Sequence, residues 1–330
     1  MKQAIKKTVT LLLRIAISLA LIAWILYKVD RRQLMGTIRA IDPWLALLAV
    51  AAYVVVNGLC AWRWQVLLRA RGVETGFWPL QRYFLNGLFF GNFLPTTVGG
   101  DLMRAYLVAD QCSKRSDALA SVLVDRVIGL FGVILTGVAG LILVARTGQE
   151  LALLKAMAVS ITAALLLVAL FLNKALVRKF RWMLRVPLIE RIEQQLVDFY
   201  HSIYVYRTHP LAVVWAFLQS LLIQLMVVVT AYCIALSMHL GISIRPFVLY
   251  MPVIGAVSMV PVSINGWGLQ EGAFIVFFGR AGLSRPEALS LGFLYHLVAV
   301  AISLAGGLLW LFYGGRRKPS PDEPCPDPNP

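Results

Sequence analysis

Charged residues are scarce in this sequence, and their scarcity excludes a soluble globular protein. Asp, Glu, Lys and Arg make up 14% of the 330 residues, whereas soluble domains carry about 25%. Hydrophobic residues make up 59% of the chain, and the mean hydropathy is +0.76. This composition predicts an integral membrane protein.

Cysteine and histidine are also rare, with four residues of each type. The cysteines form no CxxC pair and the histidines show no metal-ligand spacing, so we expect neither a disulfide framework nor a zinc site. The sequence has no Walker motif, which argues against ATP use by this chain. We therefore expect no cofactor.

Acidic residues number 16 against 31 basic ones, which gives a net charge of +15. In a soluble protein this excess would suggest a nucleic-acid partner. Here the Lys and Arg residues lie between apolar runs, as they do in cytoplasmic loops of membrane proteins. We therefore attribute the charge to membrane topology and expect no nucleic acid.

Six apolar runs are long enough to cross a bilayer, which takes about 20 residues. They are 8–27, 43–61, 116–145, 151–172, 210–236 and 287–313. Two further apolar regions, 77–108 and 246–282, are interrupted by glycine and proline, which break helices. The predicted fold is an all-α integral membrane protein with about six full transmembrane helices and two broken or re-entrant helical elements, which makes eight membrane segments.

The loop charges predict the orientation. If the broken elements enter from opposite sides, the inside segments carry 18 Lys and Arg residues and the outside segments carry 8, as the positive-inside rule requires. Both termini are then cytoplasmic. Two broken helices that meet from opposite faces also suggest an inverted repeat.

This topology divides the chain into a polytopic membrane domain over 1–313 and a proline-rich tail over 314–330, which we expect to be disordered and cytoplasmic. Within the membrane domain, 173–209 is basic and amphipathic. We expect this segment at the cytoplasmic face.

The first broken region and the helix after it concentrate polar residues at membrane depth. They are Asn92, Pro95, Gly99, Gly100, Asp101, Arg104, Asp125 and Arg126. An ionisable group costs about 2.5–3.5 kcal/mol at that depth and usually serves a function. One reading is a tight turn with a capping Asp101, or a structural ion-pair network of the four charges. The other is a polar lining that meets a charged head group, and the two are compatible.

The second broken region contains Ser263, Asn265, Gly266, Gly268 and Glu271. Its glycines permit a turn. Glu271 can cap a helix, pair with an arginine or take up a proton at membrane depth. His296, in the last helix, is more simply explained as a packed, hydrogen-bonded histidine than as a proton relay.

The chain resembles the lysylphosphatidylglycerol synthase transmembrane-region family, also called flippase-like or the UPF0104 group. The resemblance covers roughly residues 10 to 313. It is carried by Asn92-Phe93-Leu94-Pro95, Gly99-Gly100-Asp101, Arg104, Ala120-Ser121, Asp125-Arg126, Gly129-Leu130, the run Pro261-Val262-Ser263-Ile264-Asn265-Gly266-Trp267-Gly268, and Glu271.

This resemblance implies an integral membrane domain that translocates lipids. In fused relatives it precedes a soluble aminoacyl-transferase that loads lysine onto phosphatidylglycerol. Only 17 residues follow Tyr313 here, so we expect no lysyl transfer and no enzymatic activity. A lysyltransferase label inherited from those relatives would be misleading.

The leading hypothesis is a flippase for a lipid or lipid-linked precursor with an anionic head group, such as an anionic phospholipid or a polyprenyl-phosphate-linked substrate, in a bacterial cytoplasmic membrane. The alternative is a non-transporting membrane partner of a lipid-modifying synthase or glycosyltransferase, which would dock on 173–209. A lipid head-group modifying enzyme ranks lower, because no nucleophile or metal set stands at membrane depth.

Overall fold

The structure is a computed structural model, and it describes residues 41–93, 99–112, 115–144, 204–258 and 266–313. The predicted helices 8–27 and 151–172 lie outside the described residues. So do most of the basic segment 173–209 and the tail 314–330.

The described residues form α-helices and no strand. In chain order the helices are α1 (Pro43–Arg69), α2 (Phe77–Phe93), α3 (Gly99–Cys112), α4 (Arg115–Val144), α5 (Pro210–Ser237), α6 (Arg245–Ser258), α7 (Leu269–Arg280) and α8 (Arg285–Tyr313), with a short 3-10 helix at Val205–Thr208 before α5. Four of them, α1, α4, α5 and α8, are long and apolar enough to cross a membrane. The described chain is therefore that of a multi-pass membrane protein.

The predicted breaks are present. The region 77–108 divides into α2 and α3, and the region 246–282 divides into α6 and α7. The predicted end of the second helix at residue 61 is wrong, because α1 continues to Arg69. Arg63 and Gln65 do not end it, since both are buried inside the protein rather than exposed at a membrane surface.

The eight helices form two successive runs with the same order of lengths: one long helix, two short helices and a second long helix. Each run has its own apolar core. The core of α1–α4 is built around Trp64 and Leu80, and the core of α5–α8 is built around Phe247, Phe274 and Phe278.

The first helices of the two runs, α1 and α5, pack along each other in opposite directions. The backbone N–H of Asp42, which caps the start of α1, donates to the carbonyl of Ser237 at the end of α5 over 2.7 Å. At the other end, the Tyr206 hydroxyl donates to the Leu67 carbonyl over 3.0 Å. Burial raises the pKa of the Tyr206 phenol, which favours this donor form.

The remaining contacts between the runs are exchanged: α4 of the first run packs on α6 of the second, and α8 of the second packs on α2 of the first. Glycine permits both approaches. A Cβ added at Gly140 would lie 2.7 Å from the Val248 carbonyl oxygen, and one at Gly306 would lie 2.1 Å from the Leu85 carbonyl oxygen. Small residues let membrane helices approach this closely. The exchange brings both pairs of short helices together at the centre.

Candidate functional site: a polar cavity between the short helices

Five charged side chains from α1, α3 and α4 form one connected network, which we call the charge cluster. Its members are Arg63, Asp101, Arg104, Asp125 and Arg126. Asp125 is at its centre and is 2% exposed. Its Oδ1 accepts from Arg63 Nε over 2.7 Å, and its Oδ2 accepts from Arg104 Nη2 over 3.0 Å. One carboxylate therefore holds α1, α3 and α4 together.

Asp101 forms the second node of the charge cluster. It accepts from Arg104 Nε over 3.1 Å. Arg126 binds both Asp101 oxygens, with 2.8 Å from Nε to Oδ2 and 2.8 Å from Nη2 to Oδ1, in the bidentate geometry that makes arginine–carboxylate pairs strong. Asp101 also lies in the first turn of α3, where a negative charge suits the helix dipole. The predicted ion-pair network is present.

Sequence reasoning missed Arg63, which it placed in a cytoplasmic loop. Arg63 is 7% exposed and also donates from Nη1 to the Ser220 hydroxyl over 2.8 Å. Gly129 makes room for it, since an added Cβ there would lie 3.2 Å from Arg63 Nη1. Asp125 and Gly129 are four residues apart and share a helix face. That spacing was the available signal for a bulky partner.

The fifth charge changes the electrostatics of the site. The four predicted charges would cancel, but the charge cluster holds three arginines and two aspartates, which makes its net charge +1. An uncompensated charge in a low-dielectric interior is costly. The cluster is therefore matched to one further negative charge.

The charge cluster borders a cavity of about 350 Å³ to which all eight helices contribute. The polar residues in its lining are Asn92, Asp101, Arg104, Arg126, Gln224, Ser258, Gln270, Tyr53, Tyr295 and His296. The volume is near the lower end of the range for ligand sites, about 300–1,000 Å³. It suits a small polar group rather than a whole two-chain lipid.

Two buried polar atoms among the lining residues lack a hydrogen-bond partner within the described part of the chain: Arg104 Nη1 on α3 and Gln270 Nε2 on α7. Arg104 is 3% exposed, and its guanidinium packs on Trp64 and Phe84 at 5.0 and 5.3 Å from the ring centres. Buried donors are normally paired. These two are therefore candidate ligand contacts.

The second run places its acid behind the cavity rather than in it. Glu271 Oε2 accepts from the Gly268 backbone N–H over 2.7 Å, and Oε1 lies 2.9 Å from His296 Nδ1. The Trp267 ring stacks on His296 at 3.9 Å. Glu271 thus caps α7 and pairs with a histidine, not with an arginine. Asp101 and Glu271 are each the third residue of the second short helix in their run.

The predicted site residues divide into three groups. Asn92, Gly100, Asp101, Arg104 and Arg126 line the cavity. Asp125 and Glu271 hold lining residues in place from behind. Gly99 starts α3, while Gly266 and Gly268 form the turn before α7, with φ values of 78° and 80° that favour glycine.

Pro95, Ser263 and Asn265 lie outside the described residues. Sequence reasoning missed Gln224, Ser258 and Gln270 as lining residues. A neutral polar residue in an apolar run has a low cost and draws little attention.

Two close contacts fix the first broken element against its neighbours. Asn92 Nδ2 donates to the Ser303 hydroxyl over 2.6 Å, which joins α2 to α8. A Cβ added at Gly100 would lie 2.2 Å from the Gly87 carbonyl oxygen, so α3 touches the backbone of α2. Within the described ranges, no group of three or more His, Cys, Asp or Glu residues is placed to hold a metal ion.

Comparison with known proteins agrees with the sequence pattern. The profile of the family described as "Lysylphosphatidylglycerol synthase TM region" matches residues 11–307. A UPF0104 membrane protein of Methanothermobacter thermautotrophicus is 24% identical over 320 residues, which cover 91% of this chain and 94% of the relative. No solved structure matches.

Proposed function

The chain belongs to the lysylphosphatidylglycerol synthase TM region family, and from this premise we propose that it translocates a lipid with an anionic head group across the membrane. The head group would enter the cavity between the short helices while the acyl chains stay in the bilayer. The substrate would be a membrane lipid or a lipid-linked precursor. The proposal is for movement and not for chemical change of the lipid.

The observation that carries this proposal is the unpaired Arg104 Nη1 in a cavity bordered by a net charge of +1. A phosphate oxygen would satisfy this donor and neutralise the charge at once. Arg126 can add a second contact, because 53% of its side-chain surface is exposed while the rest of the cluster is largely buried. Its Asp101 partner would hold it until the anion arrives.

The arrangement of the helices supports movement rather than one-sided binding. Antiparallel α1 and α5, the repeated order of lengths and the exchanged pairings are the features of an inverted repeat. In such transporters the substrate site lies where discontinuous helices meet, and the repeats expose it alternately to the two faces. We propose that α2–α3 and α6–α7 are the two re-entrant elements of a chain with six full crossings.

The remaining parts of the proposal concern location and coupling. We place the protein in a bacterial cytoplasmic membrane, with both termini in the cytoplasm. The buried Glu271–His296 pair can take up a proton, and His296 reaches the cavity lining. Proton uptake there would couple to passage of the anion by adding positive charge beside it.

The test is lipid translocation in proteoliposomes that contain a tail-labelled anionic phospholipid. The wild-type protein should make the inner-leaflet label accessible to a membrane-impermeant quencher. Arg126→Gln should slow this by about tenfold, because it removes a charge-assisted contact worth about 1.5–3 kcal/mol. Arg280→Gln is the matched control, since Arg280 ends α7 and is exposed.

Equal rates for wild type, Arg126→Gln and empty liposomes, with folded protein in each sample, would refute the proposal. The non-transporting partner of a lipid-modifying synthase or glycosyltransferase would then be the reading to pursue. Its test would be association with such an enzyme through 173–209.

A further inference from the structure

We propose that the cavity selects a head group that carries one phosphodiester charge and an uncharged, hydroxyl-bearing end, and that it rejects head groups with an ammonium. This inference rests on the proposed function and specifies its substrate class. It follows from the charges and the unpaired atoms of the cavity lining.

The charge balance sets the anion at one negative charge. The charge cluster has a net charge of +1, and the acids and bases of the described lining residues are Asp101, Arg104 and Arg126. A phosphodiester brings one negative charge and leaves the site neutral. A diphosphate would leave at least one negative charge uncompensated in a low-dielectric environment.

The lining offers no acceptor for a cationic end. Asp101 is the carboxylate among the described lining residues, and both of its oxygens already accept from arginines: Oδ1 from Arg104 Nε and Arg126 Nη2, and Oδ2 from Arg126 Nε. An ammonium would therefore enter a site that is already positive without finding a partner. The like-charge cost excludes ethanolamine and aminoacylated head groups.

The far wall of the cavity suits a hydroxyl instead. The Gln270 amide nitrogen is buried without a partner among the described residues, and the Ser258 hydroxyl lies 3.5 Å from the other amide atom. An amide donates to and accepts from hydroxyl groups without requiring charge. Because Gln270 is on α7 and Arg104 on α3, a head group with a phosphate and a hydroxyl would contact both runs of helices.

The test compares lipids that share one labelled tail and differ only in the head group: phosphatidylglycerol, phosphatidylethanolamine and lysyl-phosphatidylglycerol. In proteoliposomes, the wild-type protein should move phosphatidylglycerol at least about tenfold faster than the other two, which corresponds to about 1.4 kcal/mol. This comparison needs no variant and so does not depend on one folding.

Two variants separate charge from hydrogen bonding. Gln270→Glu is nearly isosteric and neutralises the site, so it should slow phosphatidylglycerol, speed phosphatidylethanolamine and thereby reverse or erase the preference. Gln270→Leu removes the amide without adding charge. It should slow phosphatidylglycerol and leave phosphatidylethanolamine slow.

The outcomes distinguish the two claims. Equal movement of all three lipids, or an unchanged preference in Gln270→Glu, would overturn the selectivity and leave the flippase proposal standing. If folded protein moved no lipid, the flippase proposal would fall. The selectivity would then be decided by the lipid that stays bound after extraction from vesicles with equal phosphatidylglycerol and phosphatidylethanolamine: enrichment of phosphatidylglycerol, lost in Gln270→Glu, supports it, and equal retention overturns it.

Discussion

Replacing Asp125 by alanine is expected to destabilise the protein by about 3–5 kcal/mol, the cost of leaving a buried charge without its partner. Asp125 accepts from Arg63 over 2.7 Å and from Arg104 over 3.0 Å, and all three side chains are at least nine-tenths buried. Without the carboxylate, the charge cluster changes from a net charge of +1 to +2. Equilibrium unfolding in mixed detergent micelles, followed by intrinsic fluorescence, measures the loss.

A second substitution tests whether charge balance is the cause. Asp125→Ala with Arg63→Met returns the cluster to +1, and the Ser220 hydroxyl that Arg63 contacts keeps its own bond to the Ala216 carbonyl. We expect the double variant to be more stable than Asp125→Ala alone, with a coupling energy of about 2 kcal/mol. If the two substitutions add their separate costs, the cluster is not held by charge compensation.

Replacing Gly255 by leucine is expected to abolish lipid movement while the protein stays folded. Gly255 lines the cavity, and a Cβ added there would meet no atom within 4 Å. The leucine side chain would therefore extend into empty space and displace the head group rather than push helices apart. The measurement is the proteoliposome assay, with thermal unfolding of the same preparation to show that stability is retained.

Gly279→Leu provides the matched control for this substitution. Gly279 also has no atom within 4 Å of a built Cβ, but it is exposed near the end of α7 and does not line the cavity. It should leave the translocation rate unchanged. Wild-type rates in Gly255→Leu would mean that the lipid travels by another route, and the cavity would lose its proposed role.

The sequence was sufficient to predict the breaks and the ion pairs. Glycine and proline interrupt apolar runs for a steric reason, so the separation of α2 from α3 and of α6 from α7 could be read directly. Charges at membrane depth seek partners, and this led to the network of Asp101, Arg104, Asp125 and Arg126. The turn before α7 followed from Gly266 and Gly268, which both have positive φ.

What the sequence could not supply depends on which distant segments meet. Arg63 is close enough to the predicted helix end to look like a surface residue, and only the approach of α4, at Gly129, shows that it is buried. The pairing of α4 with α6 depends on backbone contact at Gly140, which no local pattern encodes. Gln270 remained unnoticed because a neutral amide costs little until its neighbours are known.

Access to the cavity from both sides of the membrane is the most direct test of the central claim, that the two pairs of short helices open it alternately to either face. The measurement uses Gly255→Cys in a background whose four native cysteines are replaced, reconstituted in vesicles and exposed to a membrane-impermeant thiol reagent outside or inside. We predict reaction from both sides, slowed by phosphatidylglycerol. Reaction from one side alone, at every lipid composition, would contradict the account and leave a binding site in place of a transport path.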